Sequence, residues 1–273
     1  MTGSRIARLT ASAGLLGIAA SAQAQFSDSF ESYATGGGVV GQNSWELWCD
    51  GGTTDGTVVD DFARTGANSF RLDLGTDVVQ PISGVDDGQW VFSIWIYAPA
   101  TSFGVGWVNL MNDYCNLPFA NGDWSTATQF SITAGTVQAW GGETLPLVTD
   151  RWVEYRVEFD LDNDTFSEYY GGSILTENLT WSSNVGAGGS TSLQGIDLYS
   201  PDSFGIYYDD VNLEQAGGCY PDCTGEGTLD IFDFLCFQDA FVQGDPYADC
   251  TGEGTFDIFD FLCFQDAFVT GCP

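Results

Sequence analysis

The chain has no lysine and no histidine, and six arginines are its only bases against 38 acids. Without histidine, Ser-His-Asp hydrolase chemistry and the usual imidazole metal sites are excluded. The acid excess repels nucleic acid and anionic membrane surfaces. Long apolar runs are scarce too. The main one, Leu9 to Ala20, is too short to span a bilayer, and no later segment is apolar enough to cross one. Paired Cys-x-x-Cys spacings are missing, which argues against a zinc cluster.

What is present begins with an export signature. Arg5 and Arg8 precede the Leu9–Ala20 run, and Ala22-Gln23-Ala24 gives a small-x-small cleavage site. Residues 1–24 therefore read as a signal peptide, and the expected product is secreted, extracellular or attached to a cell surface. After cleavage Arg64, Arg71, Arg151 and Arg156 face all 38 acids, a net charge near −34. Such a chain favours divalent cations. The eight cysteines are an even number, which in an exported chain argues for disulfides.

The strongest internal signal is a duplication. Tyr220–Gly244 and Tyr247–Gly271 align at a period of 27, with 22 of 25 positions identical. Residues 215–218 read as a small-residue linker. Upstream, residues 26–214 show short alternations separated by Gly, Asn, Asp and Pro. Val91–Tyr97 is one. Another is Trp152–Leu161, where Val153, Tyr155, Val157, Phe159 and Leu161 alternate with Glu154, Arg156, Glu158 and Asp160. No long helical period appears, so an antiparallel β-sandwich or barrel is expected, of a length that suits a jelly roll.

Each repeat carries a calcium-loop spacing. The first supplies Asp222, Thr224, Glu226, Thr228, Asp230 and Asp233 at loop positions 1, 3, 5, 7, 9 and 12. The second supplies Asp249, Thr251, Glu253, Thr255, Asp257 and Asp260. Gly227 and Gly254 stand at position 6, where the loop turns sharply. Position 12 reaches back from the first turn of the following helix. Hydroxyls at position 3 and Asp rather than Glu at position 12 predict weak affinity, toward roughly 10⁻⁴ to 10⁻³ M. Helices are expected over 231–242 and 258–269. They are apolar nearly all round and must be covered. A module of this size needs staples. Sequence cannot fix connectivity, but the repeat spacing favours Cys223–Cys236 and Cys250–Cys263. Cys219–Cys272 would then clasp the module's ends and Cys49–Cys115 would pair upstream.

Tandem loop-helix units with Asp at position 12 and no entering helix resemble dockerins, the calcium-dependent modules that dock exported proteins onto cohesin receptors. The run DIFDFLCFQDAF with flanking cysteines and a Gly-Cys-Pro end is similar to GC-type dockerins of planctomycete-like bacteria. The resemblance covers residues 219–273 and implies two Ca2+ ions and a cohesin-like or other surface receptor. Dockerins read their partner with positions 10 and 11, usually small hydroxyl residues. Here those positions hold Ile231-Phe232 and Ile258-Phe259, so either the receptor differs or these side chains are core.

The stretch 26–214 resembles concanavalin A-like lectin/glucanase jelly rolls at Asp28-Ser-Phe-Glu31, at Gly41-Gln-Asn-Ser-Trp45 and at Ile206–Leu213. That resemblance implies a sugar binder or a glycosidase, and a possible third calcium at Glu31, Asp209 and Asp210. The Glu-x-Asp-x-x-Glu run of laminarinase-like members is missing. Glu158 and Asp160, on one strand face, are the weak catalytic candidates. For a sugar platform the candidates are Trp95, Tyr97, Trp107, Asn109, Gln129 and Trp140, against the alternative that the rings are core. The leading expectation is a non-catalytic, exported, carbohydrate- or matrix-binding sandwich tethered by its tail. A glucanase-like enzyme on the same tether and a structural adhesion or surface-layer component are the alternatives.

Overall fold

The computed structural model describes residues 24–48, 54–115, 124–185, 188–202, 205–216, 221–224, 229–251 and 255–270. Contacts divide the chain into a compact unit Ala22–Gly217 and another that contains Gly218–Pro273.

The first unit is built from β1 (Ala24–Asp28), β2 (Glu46–Leu47), β3 (Thr57–Val59), β4 (Ser69–Leu72), β5 (Asp77–Pro81), β6 (Gln89–Tyr97), β7 (Val105–Met111) and β8 (Trp124–Ser131). It continues with β9 (Thr136–Gln138), β10 (Thr144–Pro146), β11 (Trp152–Asp160), β12 (Thr165–Tyr170), β13 (Ser173–Thr180), β14 (Gly195–Tyr199) and β15 (Ile206–Gln215). They form two antiparallel sheets. One runs β13-β12-β11-β6-β15-β4-β3, with β1 added on β15 to make eight strands. The other has seven, ordered β10-β9-β8-β7-β14-β5-β2. The fold is thus the expected antiparallel jelly-roll-type sandwich, mainly β, with two helices in the tail.

Strict alternation drives this packing. On β6, Phe92, Ile94 and Ile96 are buried while Ser93, Trp95 and Tyr97 face away; on β11, Val153, Tyr155, Val157 and Phe159 are buried. Across the gap β7 contributes Val108 and Leu110, and β14 contributes Ile196 and Leu198. Phe130 meets Tyr155 edge to face, with centroids 5.3 Å apart. Both sheets therefore turn one apolar face inward and keep a second, outer face for other work.

One acid sits inside this core. Glu168 on β12 is buried and accepts from Thr128 Oγ1 at 3.1 Å. Tyr155 OH donates to Thr128 Oγ1 at 3.0 Å. Burial pushes the carboxyl from the ordinary 4.5 up to about 7, against the opposing hydrogen bonds from Thr128 and Tyr155.

In the second unit α1 spans Ile231–Gln243 and α2 spans Ile258–Thr270. Asp230 caps α1, accepting from Phe232 N at 2.7 Å, while Asp233 receives Asp230 N at 2.8 Å, a reciprocal capping box. Gly244 ends α1 at φ 69, a left-handed conformation that costs glycine nothing. The duplication becomes symmetry in the core, where Phe237 stacks on its repeat equivalent Phe264 at 4.0 Å. Phe234, Phe241, Phe261 and Phe268 pack around them. So small a core leaves much of the stabilisation to cross-links. Cys223–Cys236 and Cys250–Cys263 are bonded, with Cα atoms 5.8 and 5.9 Å apart. Each closes a short loop, a contribution of about 3 kcal/mol on the chain-entropy account. Cys219 and Cys272 lie outside the described residues. Cys115 is exposed with a free thiol rather than the disulfide expected for it, and its expected partner Cys49 also lies outside the described residues.

Glu168 predicts a pH dependence. Its folded value lies above the unfolded one, so the folded state holds an extra proton between about pH 4.5 and 7. The stability this proton supports is complete below that window and is lost as pH rises through it. Unfolding measured at pH 4.5 and pH 8 should show a loss on the order of 3 kcal/mol from this group. Glu168→Gln should flatten the profile by that amount and be the more stable form at pH 8. Parallel profiles for the two proteins would contradict the assignment.

Candidate functional site

On the outer face of the eight-stranded sheet, β15 is irregular between Asp209 and Asn212, and Asp210 sits at φ 46. Such a bulge re-aims side chains. Here it places two neighbouring carboxylates against the segment 64–68. Asp209, fully buried, accepts from Arg64 N at 2.7 Å, from Thr65 N at 3.3 Å and from Asp210 N at 2.8 Å. Burial pushes its carboxyl up to about 6 despite those bonds. Asp210 forms an ion pair with Arg64 and accepts from Thr65 Oγ1 at 2.6 Å. Glu31 holds the far end of the segment, accepting from Ala67 N at 2.9 Å and Asn68 N at 2.7 Å. The three acids expected to share a calcium thus close one loop, Asp209 and Glu31 on main-chain donors and Asp210 on the side chains of Arg64 and Thr65.

The pinned loop covers two of the expected sugar-platform rings. Arg64 lies 3.7 Å above the Trp95 ring, and Phe62 stacks on Tyr97 at 4.4 Å. Each ring thus has a covering partner on one face, and the platform here is a guanidinium–indole pair. Beside it opens a groove of about 580 Å³, bordered by Arg64, Trp95, Ser27, Ser29, Ser93, Asn43 and Asn212 and by the carboxylates of Asp28, Glu31 and Asp210. Asp28 is spent on its own surroundings, accepting from Phe30 N at 2.8 Å, Trp45 Nε1 at 2.9 Å and the Tyr33 hydroxyl. Asn43 Nδ2 also donates to Asp28, at 3.2 Å, so the serine hydroxyls and the Asn212 amide are left to meet a ligand.

The six platform candidates do not meet. Trp107, Asn109 and Gln129 lie on the outer face of the seven-stranded sheet, with Trp107 opposite Gln129 on β8 and opposite Tyr199 on β14. Trp140 follows β9 and is more than half exposed. The single-platform expectation fails because β6 belongs to one sheet and β7 and β8 to the other, so their outward residues point in opposite directions. Sequence reasoning missed the acids beside Asn109. Asp197 reads as an ordinary solvent-facing residue of an alternating strand, yet it is buried and accepts from Asn109 Nδ2 at 2.7 Å. Burial and the neighbouring Asp77 push its carboxyl well above the usual range.

Glu158 and Asp160 have structural partners. Glu158 pairs with Arg156 at 3.1 Å. Asp160 receives Asn163 N at 2.9 Å, Asn163 Nδ2 at 2.7 Å and Gln89 Nε2 at 3.0 Å. Burial draws Asp160 upward, but these bonds outweigh it and hold the carboxyl below its usual range.

In the tail, loop positions 1, 3 and 12 converge. Thr224 Oγ1 lies 3.4 Å from Asp222 Oδ1 and 2.7 Å from Asp233 Oδ1, and Thr224 N donates to Asp233 Oδ1 at 3.0 Å. The second loop repeats this around Asp260, which accepts Thr251 N at 3.0 Å, Thr251 Oγ1 at 2.8 Å and Asp257 N at 2.9 Å. Asp233 and Asp260 are fully buried. Glu226, Thr228 and Glu253 lie outside the described residues. Among those described, no three acidic or cysteine side chains form a metal cluster. The donors present are all oxygen, and no base occurs in residues 219–273, a chemistry that fits a hard cation. Ile231, Phe232, Ile258 and Phe259 are each about 60% exposed and so are not core of this unit. Ile231, Leu235 and Val242 form an exposed stripe on α1, repeated by Ile258, Leu262 and Val269 on α2. A hollow of about 770 Å³ opens between Leu229, Ile231 and Phe234 of one repeat and Leu262, Phe268 and Val269 of the other.

No family model and no curated protein matches the chain. Solved structures do. A cellulose induced protein, Cip1, matches at TM-score 0.47 and 16% identity over 69% of this chain and 96% of its own. The carbohydrate binding module CBM66 from Bacillus subtilis matches at 0.39 and 13%, over 63% and 95%. A Crh5 transglycosylase in complex with NAG matches at 0.43 and 14%, over 78% and 95%. None of these reaches a TM-score of 0.5, and none assigns a ligand to this chain.

The loop-pinning geometry is testable with trypsin, since Arg64 is itself a cleavage site. Asp209→Ala should release the segment and raise cleavage after Arg64 by about tenfold, with Arg71, Arg151 and Arg156 unaffected. A uniform change at all four arginines would point to general destabilisation instead.

Proposed function

We propose that this is an exported, non-catalytic protein whose sandwich binds a neutral carbohydrate and whose calcium-dependent tail docks it to a surface receptor. The groove beside Trp95 carries the first half. Its hydroxyls, amides and single guanidinium match the donor and acceptor pattern of a sugar, and its volume suits one or two sugar rings. A chain near −34 after export disfavours polyanionic glycans. Glu158 and Asp160 are engaged by Arg156 and Asn163, which supports binding rather than hydrolysis.

For the tail, the converging oxygens of each loop support calcium. Asp222, Thr224, Asp230 and Asp233 would hold one ion and Asp249, Thr251, Thr255, Asp257 and Asp260 the other, together with Glu226, Thr228 and Glu253. The exposed stripes led by Ile231-Phe232 and Ile258-Phe259 support a docking role of the dockerin kind. With 11 acids and no base around them, the receptor face that fits is apolar with a basic rim. Large apolar residues at positions 10 and 11 favour a receptor other than the ordinary cohesin.

Affinity electrophoresis of the full chain through a panel of neutral and acidic polysaccharides tests the sandwich. Retardation is expected in at least one neutral gel. Arg64→Ala and the groove-filling Ser93→Phe should each weaken it about tenfold, or about 1.4 kcal/mol. Failure in every gel, or binding that both variants leave unchanged, would contradict the groove assignment.

A further inference from the structure

The outer face of the seven-stranded sheet holds a buried acid that the carbohydrate reading does not use. Asp197 lies between Val79 on β5 and Asn109 on β7. It is 3% exposed and Asn109 is 7% exposed, although both point away from the sandwich core. Asp77 is within hydrogen-bonding reach of Asp197. Tyr199, two residues along the strand, and Tyr208 are the other titratable groups that feel the Asp197 charge. The neighbours of Asp197 thus bring no base. The buried aspartates Asp28, Asp209, Asp233 and Asp260 are each met by main-chain N–H groups. The donor that reaches Asp197 is the Asn109 amide, on Oδ2. The other carboxylate oxygen, Asp197 Oδ1, and the amide oxygen, Asn109 Oδ1, are both shielded from solvent and have no donor.

Two adjacent carboxylates are held together either by a shared proton or by a cation. A proton between Asp77 and Asp197 joins the acids and leaves Asn109 Oδ1 unsatisfied. A cation serves that amide oxygen and the carboxylate oxygens at once. The donor set is oxygen alone, which selects a hard ion. We propose that Asp77, Asn109 and Asp197 form a cation site for calcium on this face, beside the cross-strand pair Trp107 and Tyr199. The site is separate from the tail loops and from the Glu31, Asp209 and Asp210 set. It would tie together the adjacent strands β5, β14 and β7, and fix the base on which Trp107 and Tyr199 stand.

Equilibrium dialysis of the full chain against calcium, with wild type, Asp197→Asn and Asn109→Asp, tests this. Wild type should bind one more equivalent than Asp197→Asn, whatever number the tail loops contribute. Calcium should raise the sandwich unfolding transition of wild type and not that of Asp197→Asn. Asn109→Asp adds a third carboxylate and should tighten this equivalent by about tenfold. Equal stoichiometry in wild type and Asp197→Asn would overturn the proposal. So would an Asp197→Asn protein whose transition is higher in chelator and indifferent to calcium, the mark of a shared proton or a buried water. Loss of the tail loops' ions alone would lower all three stoichiometries equally and leave the difference intact.

Discussion

Carboxylates in this protein must be satisfied almost without bases, and the structure is organised by how that is done. Four arginines remain after the expected cleavage, so ion pairing can serve only a few of the acids. Main-chain N–H groups serve them instead. Asp209 and Glu31 hold the segment 64–68, and Asp164 accepts Ser182 N at 2.8 Å to fix the turn after β13. Asp233 and Asp260 close the tail loops in the same way. An acid that takes up several donors offsets part of the cost of its burial and converts a loop into a fixed element. Where the donors run out, at Asp197 and Asn109, the need is for a positive ion.

The same constraint shapes the surface. Because the Asp209–Asp210 bulge pins its loop, Arg64 is laid on Trp95 and Phe62 on Tyr97, and a polar groove opens beside them. Its walls are hydroxyls and amides because the nearby acids are already occupied by their own loops.

Much of the fold was legible in the sequence. The alternation on β6 and β11 gave both the strands and their inward residues, since period-two burial has no other solution over nine residues. The duplication gave two equivalent helices, a symmetric Phe237–Phe264 core and two matching disulfides. What was not legible depended on sheet order. Trp95 and Trp107 look alike along the chain, but β6 and β7 belong to different sheets. Asp197 on its alternating strand was indistinguishable from a solvated acid, because its neighbours Val79 and Asn109 are brought beside it by sheet order alone. The exposed Ile231-Phe232 and Ile258-Phe259 pairs were ambiguous for the opposite reason. A helix apolar nearly all round shows that something must cover it without showing what.

The account stands on the proposal that the acidic turns close fully only around a positive charge. Calorimetric unfolding of the full chain in millimolar calcium and in excess chelator measures this most directly, through the transition of the C-terminal unit. With a dissociation constant of roughly 10⁻⁴ M, about 10 mM calcium stands at 100 times that constant and adds about 2.7 kcal/mol, so that transition should move up by several degrees when calcium replaces chelator. Superimposable traces under the two conditions would contradict the account.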